Sequence, residues 1–86
     1  MAKIVIYTTN YCGYCKRAKA LLESKGLAYQ EISVENDDDK REWLVKITGQ
    51  RTVPQIFISL NPIGGYDELV ALDKSGELDK LTQKTS

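Results

Sequence analysis

Two cysteines three positions apart have the clearest capacity for chemistry in this sequence. Cys12 and Cys15 flank Gly13 and Tyr14, a spacing that lets both sulfurs meet across one helical turn and close a disulfide. We predict that they lie at the start of a helix, where unpaired N–H groups favour the thiolate form of Cys12. The first thiol would attack a disulfide and the second would resolve the intermediate, as two-step thiol–disulfide exchange requires. Three cations add positive potential nearby: Lys16, Arg17 and Lys19.

A metal site and an inert buried pair are the alternatives to redox chemistry at these cysteines. A closed zinc site needs four ligands, and the chain has two cysteines and no histidine. One chain by itself therefore cannot build a zinc site of cysteine and histidine, although a site shared between two chains stays open. The lack of histidine also excludes any mechanism that uses it as a base or a pH switch.

Composition places the chain among small globular domains. Its 86 residues predict a single domain over residues 1–86, and a hydrophobic content of 42% is enough for a core. The 12 basic and 12 acidic residues cancel, which excludes a strongly basic nucleic-acid binder. No apolar run approaches the roughly 20 residues that span a bilayer, and the segment after Met1 lacks the apolar region of a signal peptide. We therefore expect a cytoplasmic protein with no membrane partner, in which paired cysteines are more often catalytic than structural.

Hydrophobic patterning predicts the elements that position the cysteines. Strands are expected at residues 3–8, 27–34 and 55–59, with a fourth ending at residue 63. Helices are expected at residues 15–25 and 38–48, from residue 67 onward, and at residues 77–83. The order β-α-β-α-β-β-α, followed by the short last helix, predicts an α/β fold with a four-stranded mixed sheet flanked by helices on both faces. Pro62 cannot donate to a strand ladder, so the fourth strand should lie at an edge.

Two details of this pattern can be tested against the structure. The second strand should place Ile32 and Val34 on one face, and the second helix should bury a stripe of three apolar residues: Trp43, Leu44 and Ile47. The acidic run at residues 37–39 is interpreted as a helix N-terminus, where negative charge is stabilising. A calcium loop is the less favoured interpretation, because the glycine and glutamate spacing that it needs is missing.

Two further segments have the composition of a binding surface. Pro54 follows Thr52 and Val53; it is either an ordinary strand-initiating proline or a cis proline that leaves the Val53 backbone free to pair with an extended, peptide-like substrate. Downstream, glycines at positions 64 and 65 precede Tyr66 and Asp67 at a helix N-terminus, where backbone N–H groups can bind a carboxylate. Asp67 is either the helix N-cap or an acceptor for a ligand ammonium.

Together, these segments resemble the glutaredoxin family over roughly residues 2–81, almost the whole chain. The resemblance rests on four segments: Ile6-Tyr7-Thr8, Cys12-Gly13-Tyr14-Cys15, Thr52-Val53-Pro54-Gln55-Ile56-Phe57-Ile58 and Ile63-Gly64-Gly65-Tyr66-Asp67-Glu68-Leu69. It implies a thioredoxin fold in which Pro54 is cis and faces the cysteines.

The resemblance also implies that glutathione lies extended across this face. Its cysteinyl backbone would pair with Val53, and its γ-glutamyl end would be held by Asp67 and the backbone N–H groups near Gly65. Its glycine end would meet Tyr14 and the positions that follow the second helix. The complete set of implied glutathione contacts is Tyr14, Gln50, Arg51, Thr52, Val53, Pro54, Gly65, Tyr66 and Asp67.

The activity that the resemblance implies is glutathione-dependent reduction of protein disulfides and glutathione mixed disulfides. Cys12 would be the nucleophile and Cys15 the resolving thiol. The implied partners are glutathione and disulfide-bonded or glutathionylated proteins such as ribonucleotide reductase, and the chain is expected to act as a monomer.

Departures from the family pattern keep other functions open. Gly13 stands where many dithiol members have proline, and Thr9 and Asn10 stand where many have lysine. The Cys-Gly-Tyr-Cys variant is similar to members that hold a [2Fe–2S] cluster between two protomers, ligated by Cys12 of each chain and two glutathione thiols. A branch reduced by thioredoxin reductase, against which Asp67 argues, and a non-catalytic peptide-binding module are the remaining alternatives.

Overall fold

The structure is a computed structural model that describes residues 3–82, and it contains four strands and four helices. In chain order the elements are β1 (Ile4–Thr8), α1 (Gly13–Ser24), β2 (Gln30–Ser33), α2 (Asp38–Thr48), β3 (Gln55–Ile58), β4 (Asn61–Gly64), α3 (Tyr66–Ser75) and α4 (Glu77–Thr82). The predicted end of the last helix, Gln83, lies outside the described residues. None of the helices described within residues 3–82 has the length and apolar character needed to cross a membrane.

The strands form one mixed sheet in the order β2-β1-β3-β4. β1 runs parallel to β2 and antiparallel to β3, and β4 pairs antiparallel with β3. The predicted mixed sheet is therefore confirmed, and β4, which contains Pro62, does lie at an edge. Because β1 and β3 are neighbours, the loop that follows β1 and the loop that precedes β3 meet at one end of the sheet.

The sheet buries apolar side chains on both faces, as the alternation of strand side chains requires. On one face, β1 and β3 pack against α1, α3 and α4. This cluster consists of Ile4, Ile6, Ala18, Leu22, Ile56, Ile58, Leu69 and Leu78. On the other face, the sheet packs against α2 through Val5, Val34, Leu44 and Phe57, with Ile32 beside them. Ile32 and Val34 thus share a face, as predicted.

The interpretation of Asp67 as the N-cap of α3 was wrong, because Gly65 is the N-cap and Asp67 lies in the first turn.

Two boundaries and one burial pattern differ most from the sequence-based expectation, while several other element ends differ by one residue. α1 begins at Gly13 rather than at residue 15, because Cys12 acts as its N-cap. β2 is shorter than predicted, since the Leu27 N–H bonds to the Leu22 carbonyl and belongs to the end of α1. The apolar stripe predicted for α2 was wrong in part, because Leu44 alone is buried, while Trp43 is 43% exposed and Ile47 is 48% exposed.

The acidic run at residues 37–39 forms the N-terminus of α2, as predicted. Asp37 is the N-cap of α2, and its side chain accepts a hydrogen bond from the Lys40 backbone N–H at 3.0 Å. Asp38 and Asp39 lie in the first turn, where they stabilise the positive end of the helix dipole.

Candidate active site

Cys12 lies at the junction between the loop after β1 and the first turn of α1. Its backbone is extended, with φ of −99° and ψ of 111°, as is usual for a helix N-cap. The Cys12 sulfur accepts a hydrogen bond from the Cys15 backbone N–H at 3.2 Å. The sulfur therefore lies at the N-terminal end of α1, which is the positive end of the helix dipole. Cys12 is also partly exposed, so a disulfide in solution can reach it.

Cys15 has the opposite environment, since only 2% of its surface is exposed. Burial, together with a hydrogen bond to Cys12, raises the pKa of the Cys15 thiol to about 12. The backbone of Thr9 and the charge of Lys19 act in the other direction and lower it in part. The two thiols are free, and their different surroundings suit Cys12 to attack and Cys15 to act afterwards.

Val53 and Pro54 bring the start of β3 against the cysteines. The peptide bond between them is cis, as the resemblance implied. The Cys12 sulfur lies 3.8 Å from the Val53 carbonyl oxygen, while Pro54 is buried. The backbone of Val53 therefore faces the Cys12 sulfur.

A groove of about 580 Å³ leads away from this point along the ends of β3 and α3. Its walls contain all nine residues that the resemblance implied as glutathione contacts. The groove is lined by Tyr14, Gln50, Arg51, Thr52, Val53, Pro54, Gly65, Tyr66, Asp67 and Glu68. The chain thus brings together residues from three separate segments into one surface.

Aromatic rings form one wall of the groove. The Tyr14 and Tyr66 rings lie with their centroids 5.9 Å apart, and the Arg17 guanidinium sits over the Tyr14 ring at 5.4 Å. This cation–π contact favours the observed position of the exposed Tyr14 ring. The sequence indicated Arg17 only as a cation near the cysteines. In the structure its guanidinium group lies over Tyr14, on the side of α1 that lines the groove.

A buried glutamine ties together two residues of the groove. Gln55 is 1% exposed, and its Nε2 donates to the Gln50 side-chain oxygen at 3.1 Å and to the Thr52 carbonyl at 2.9 Å. These bonds hold the segment between α2 and β3 against the sheet. Sequence reasoning did not single out Gln55, because a polar residue at the start of a strand gives no signal of burial.

The close approach of α3 to β3 depends on Gly65. A Cβ atom at this position would lie 3.1 Å from the Pro54 carbonyl oxygen, which is closer than ordinary contacts. The Gly65 N–H donates to the Glu68 carboxylate at 2.7 Å, so the first turn of α3 is closed by its own side chain. Glu68 is a groove residue that sequence reasoning missed; the glutamate three positions after a helix N-cap was the available signal.

Metal ligands are sparse around the cysteines. Within residues 3–82, no group of three or more cysteine, aspartate or glutamate side chains is arranged to hold a metal ion. The four thiolates that a [2Fe–2S] cluster requires therefore do not come from the described part of one chain.

Comparison with known proteins agrees with this geometry. The sequence model of the glutaredoxin family matches residues 4–62. The chain is 53% identical over 81 residues to Glutaredoxin 3 of Escherichia coli strain K12, an alignment that covers 94% of this chain and 98% of that protein.

Solved structures show the same similarity. A buckwheat glutaredoxin, solved as a complex with glutathione, superposes with a TM-score of 0.88 at 35% identity, covering 94% of this chain and 76% of that one. The solution structure of a Brucella melitensis glutaredoxin gives 0.87 at 41% identity, covering 100% and 96%. The fold is thus the thioredoxin fold, with a Cys-x-x-Cys motif at the start of α1. The chain belongs to the glutaredoxin family, and it is a thiol–disulfide oxidoreductase.

Proposed function

We propose that this protein uses glutathione to reduce protein disulfides and glutathione mixed disulfides. The observation that carries the proposal is the groove itself, because it is lined by Val53, whose carbonyl oxygen lies 3.8 Å from the Cys12 sulfur. A tripeptide that is attached to Cys12 through its own sulfur would lie directly in that groove. The glutathione complex of the buckwheat relative supports the same ligand.

The charges of the groove suit the two ends of glutathione. The tripeptide has a glycine carboxylate at one end and a carboxylate with an ammonium group at the other. Arg51 supplies a cation for the glycine end. At the other end, the first N–H groups of α3 lack partners within the helix and can bind the γ-glutamyl carboxylate, while the Asp67 carboxylate pairs with the ammonium.

The proposed reaction has two branches that share the first thiol. With a glutathione mixed disulfide, the Cys12 thiolate attacks the glutathionyl sulfur and releases the other thiol, which takes up a proton. A second glutathione thiolate then attacks the same glutathionyl sulfur, which produces glutathione disulfide and restores the Cys12 thiolate. With a protein disulfide, Cys12 forms the mixed disulfide, Cys15 attacks the Cys12 sulfur, and two glutathione molecules reduce the resulting internal disulfide.

The substrates and setting follow from this chemistry. We propose disulfide-bonded or glutathionylated proteins as substrates, with ribonucleotide reductase as one protein of that class, and a monomer as the active form. A cytoplasmic location agrees with two free thiols and a need for reduced glutathione. No contact among the described residues favours the cluster alternative, so no step is assigned to it.

Glutathione-dependent reduction of a small glutathione mixed disulfide tests the proposal in the wild type, Cys12→Ser and Cys15→Ser. We expect Cys12→Ser to lose all activity, because no other exposed thiol replaces Cys12 in the described chain. Cys15→Ser should keep reducing the mixed disulfide and lose the reduction of protein disulfides. A wild type without glutathione-dependent activity would refute the proposal and turn attention to thioredoxin reductase as electron donor.

A pair of matched variants tests the groove as the glutathione site. Asp67→Asn should raise the KM for the glutathione mixed disulfide about tenfold, because it removes a charge-assisted contact. Asp39→Asn is the control, since Asp39 is an exposed aspartate in the first turn of another helix, outside this groove. An equal effect of both variants would assign the change to net charge rather than to binding.

A further inference from the structure

A second cavity opens on the side of the cysteines that faces away from the glutathione groove. It has a volume of about 370 Å³, and its lining includes Cys12, Cys15, Lys19 and Glu31. It shares no lining residue with the groove. Cys15 is almost fully buried. This cavity connects it to solvent, and charged side chains line the opening.

Lys19 is held at this cavity by a short network. Its ammonium group lies 3.0 Å from the Glu31 carboxylate, and the Thr8 hydroxyl donates to the same Glu31 oxygen at 2.7 Å. Lys19 follows Cys15 by four positions on α1, so both side chains lie on the same face of the helix. Glu31 comes from β2, which is paired with the strand that contains Thr8. The lysine is thus anchored by one carboxylate of β2, which is itself held by the Thr8 hydroxyl of β1.

The reaction of Cys15 requires a thiolate, which a nearby positive charge such as that of Lys19 stabilises. Cys15 must lose its proton before it can attack the mixed disulfide at Cys12, since the thiolate is the nucleophile. Burial and the Cys12 hydrogen bond oppose this loss and raise the pKa of Cys15, while Lys19 is the side chain whose charge lowers it. The Lys19 side chain is 26% exposed, and a partly buried ammonium group stabilises a nearby anion more strongly than a fully solvated one does.

We propose that Lys19, held in place by Glu31, is a positioning residue that stabilises the Cys15 thiolate while Cys15 attacks the mixed disulfide at Cys12. The inference deepens the proposed function and rests on its protein-disulfide branch. In the step itself, the Cys15 sulfur bonds to the Cys12 sulfur and the bond between Cys12 and the substrate sulfur breaks. The two cysteines are oxidised to a disulfide, the substrate disulfide is fully reduced, and the Cys15 proton leaves through the cavity to water.

The other ionisable groups at this cavity do not replace Lys19. Tyr11 is 99% exposed, and Lys16 lines the cavity as an exposed residue. Glu35 does not line the cavity; its carboxylate accepts a hydrogen bond from the Asn10 backbone N–H at 3.0 Å. Of these groups, Lys19 has an anchored charge on the same helix face as Cys15.

The test follows the reactions of Cys12 and Cys15 as two successive steps, and it uses no glutathione. Reduced protein is mixed in a stopped-flow instrument with one equivalent of 2,2′-dithiodipyridine, a neutral disulfide that releases a coloured thione. The first release reports the attack of Cys12, and the second reports the intramolecular attack of Cys15. The variants are Lys19→Met, Lys19→Arg and, as a control of equal charge change, Lys46→Met on the exposed surface of α2.

We expect Lys19→Met to slow the second release about threefold to tenfold, which corresponds to a change of about 0.5–1 unit in the pKa of Cys15. Its pH–rate profile should move to higher pH by the same amount, and the first release should stay close to that of the wild type. Lys19→Arg keeps the charge and should restore most of the rate. Lys46→Met should behave as the wild type in both releases.

Three results would overturn the inference. An unchanged second release in Lys19→Met would remove the electrostatic role, while two releases per chain would leave the proposed dithiol reaction intact. Equal slowing in Lys19→Met and Lys19→Arg would show that packing, and not charge, is what matters. A single release per chain in the wild type would instead overturn the protein-disulfide branch itself, and the inference with it.

Discussion

The sulfur of Cys12 lies 3.8 Å from the carbonyl oxygen of Val53, although 41 positions separate the two residues in the chain. The contact exists because β1 pairs with β3, with Tyr7 opposite Gln55, so the end of one strand meets the start of the other. Cys12 follows β1 after a short loop, and Val53 lies two residues before β3. The pairing of these two strands therefore brings the Cys12 sulfur and the Val53 backbone together at one end of the sheet.

Selective alkylation should distinguish the two thiols. At about pH 7, iodoacetamide should modify Cys12 once and leave Cys15 unmodified, because Cys15 is 2% exposed and has a pKa raised to about 12. Intact-mass measurement and peptide mapping check this result. Two adducts that form at similar rates would contradict the difference in environment.

Stability should fall on the alkaline side because of Cys15. Its folded-state pKa is raised to about 12, above the value of about 8.5 for an unfolded chain. The thiol therefore contributes fully below about pH 8.5, and the contribution is lost as the pH rises toward the folded value. Urea unfolding under reducing conditions at about pH 7 and pH 10 should show a steeper loss for the wild type than for Cys15→Ala. Parallel losses would show that other groups, such as Tyr29, dominate.

Gly65→Ala should weaken substrate binding without disabling Cys12. The added methyl group would press on the Pro54 carbonyl at 3.1 Å, so the start of α3 must move away from the groove floor. We expect the KM for a glutathione mixed disulfide to rise about threefold to tenfold. The rate of Cys12 alkylation is the internal control and should not change; a parallel loss of both would indicate general disruption.

Leu69 should be essential for the stability of the domain. It is completely buried between the sheet and the helices, and Leu69→Ala should lower the free energy of unfolding by about 2–5 kcal/mol. Leu81→Ala is the matched control, since this helical leucine is 41% exposed and should cost much less. Denaturant titration followed by circular dichroism measures both, and similar losses would contradict the assigned core.

Glu31 should contribute to stability at neutral pH and lose that contribution in acid. The Thr8 hydroxyl, followed by Lys19, lowers the pKa of the Glu31 carboxyl. A lowered folded-state pKa means that the contribution is present above the unfolded value of about 4.3 and is lost as the pH falls through the folded value. The melting temperature of Glu31→Gln should therefore be below that of the wild type at about pH 7, and the two should converge in acid. A difference in melting temperature that persists in acid would show that the packing of the side chain, and not its charge, causes the effect.

Local patterns in the sequence were sufficient for the order of elements and for the chemistry. The mixed sheet, the edge position of β4 and the cysteines at a helix start depend on residues that are close in the chain, so periodicity and proline placement reveal them. The boundaries were less well predicted, because the N-cap role of Cys12 and the bond from Leu27 to Leu22 depend on side-chain and backbone geometry. The partial exposure of Trp43 depends on tertiary packing, since its ring lies over Tyr7 and Phe57 on the central strands of the sheet.

The sequence by itself was enough to predict which thiols should react and, through its family resemblance, which residues should surround the ligand. Only the tertiary structure decided that Glu31 stands beside Lys19, that Gln55 is buried under the groove, and that Cys12 meets Val53. The physical reason is that each of these contacts joins residues on different strands or helices. Their proximity is set by strand register and by the crossover between elements, and neither is encoded in the types of the residues that meet.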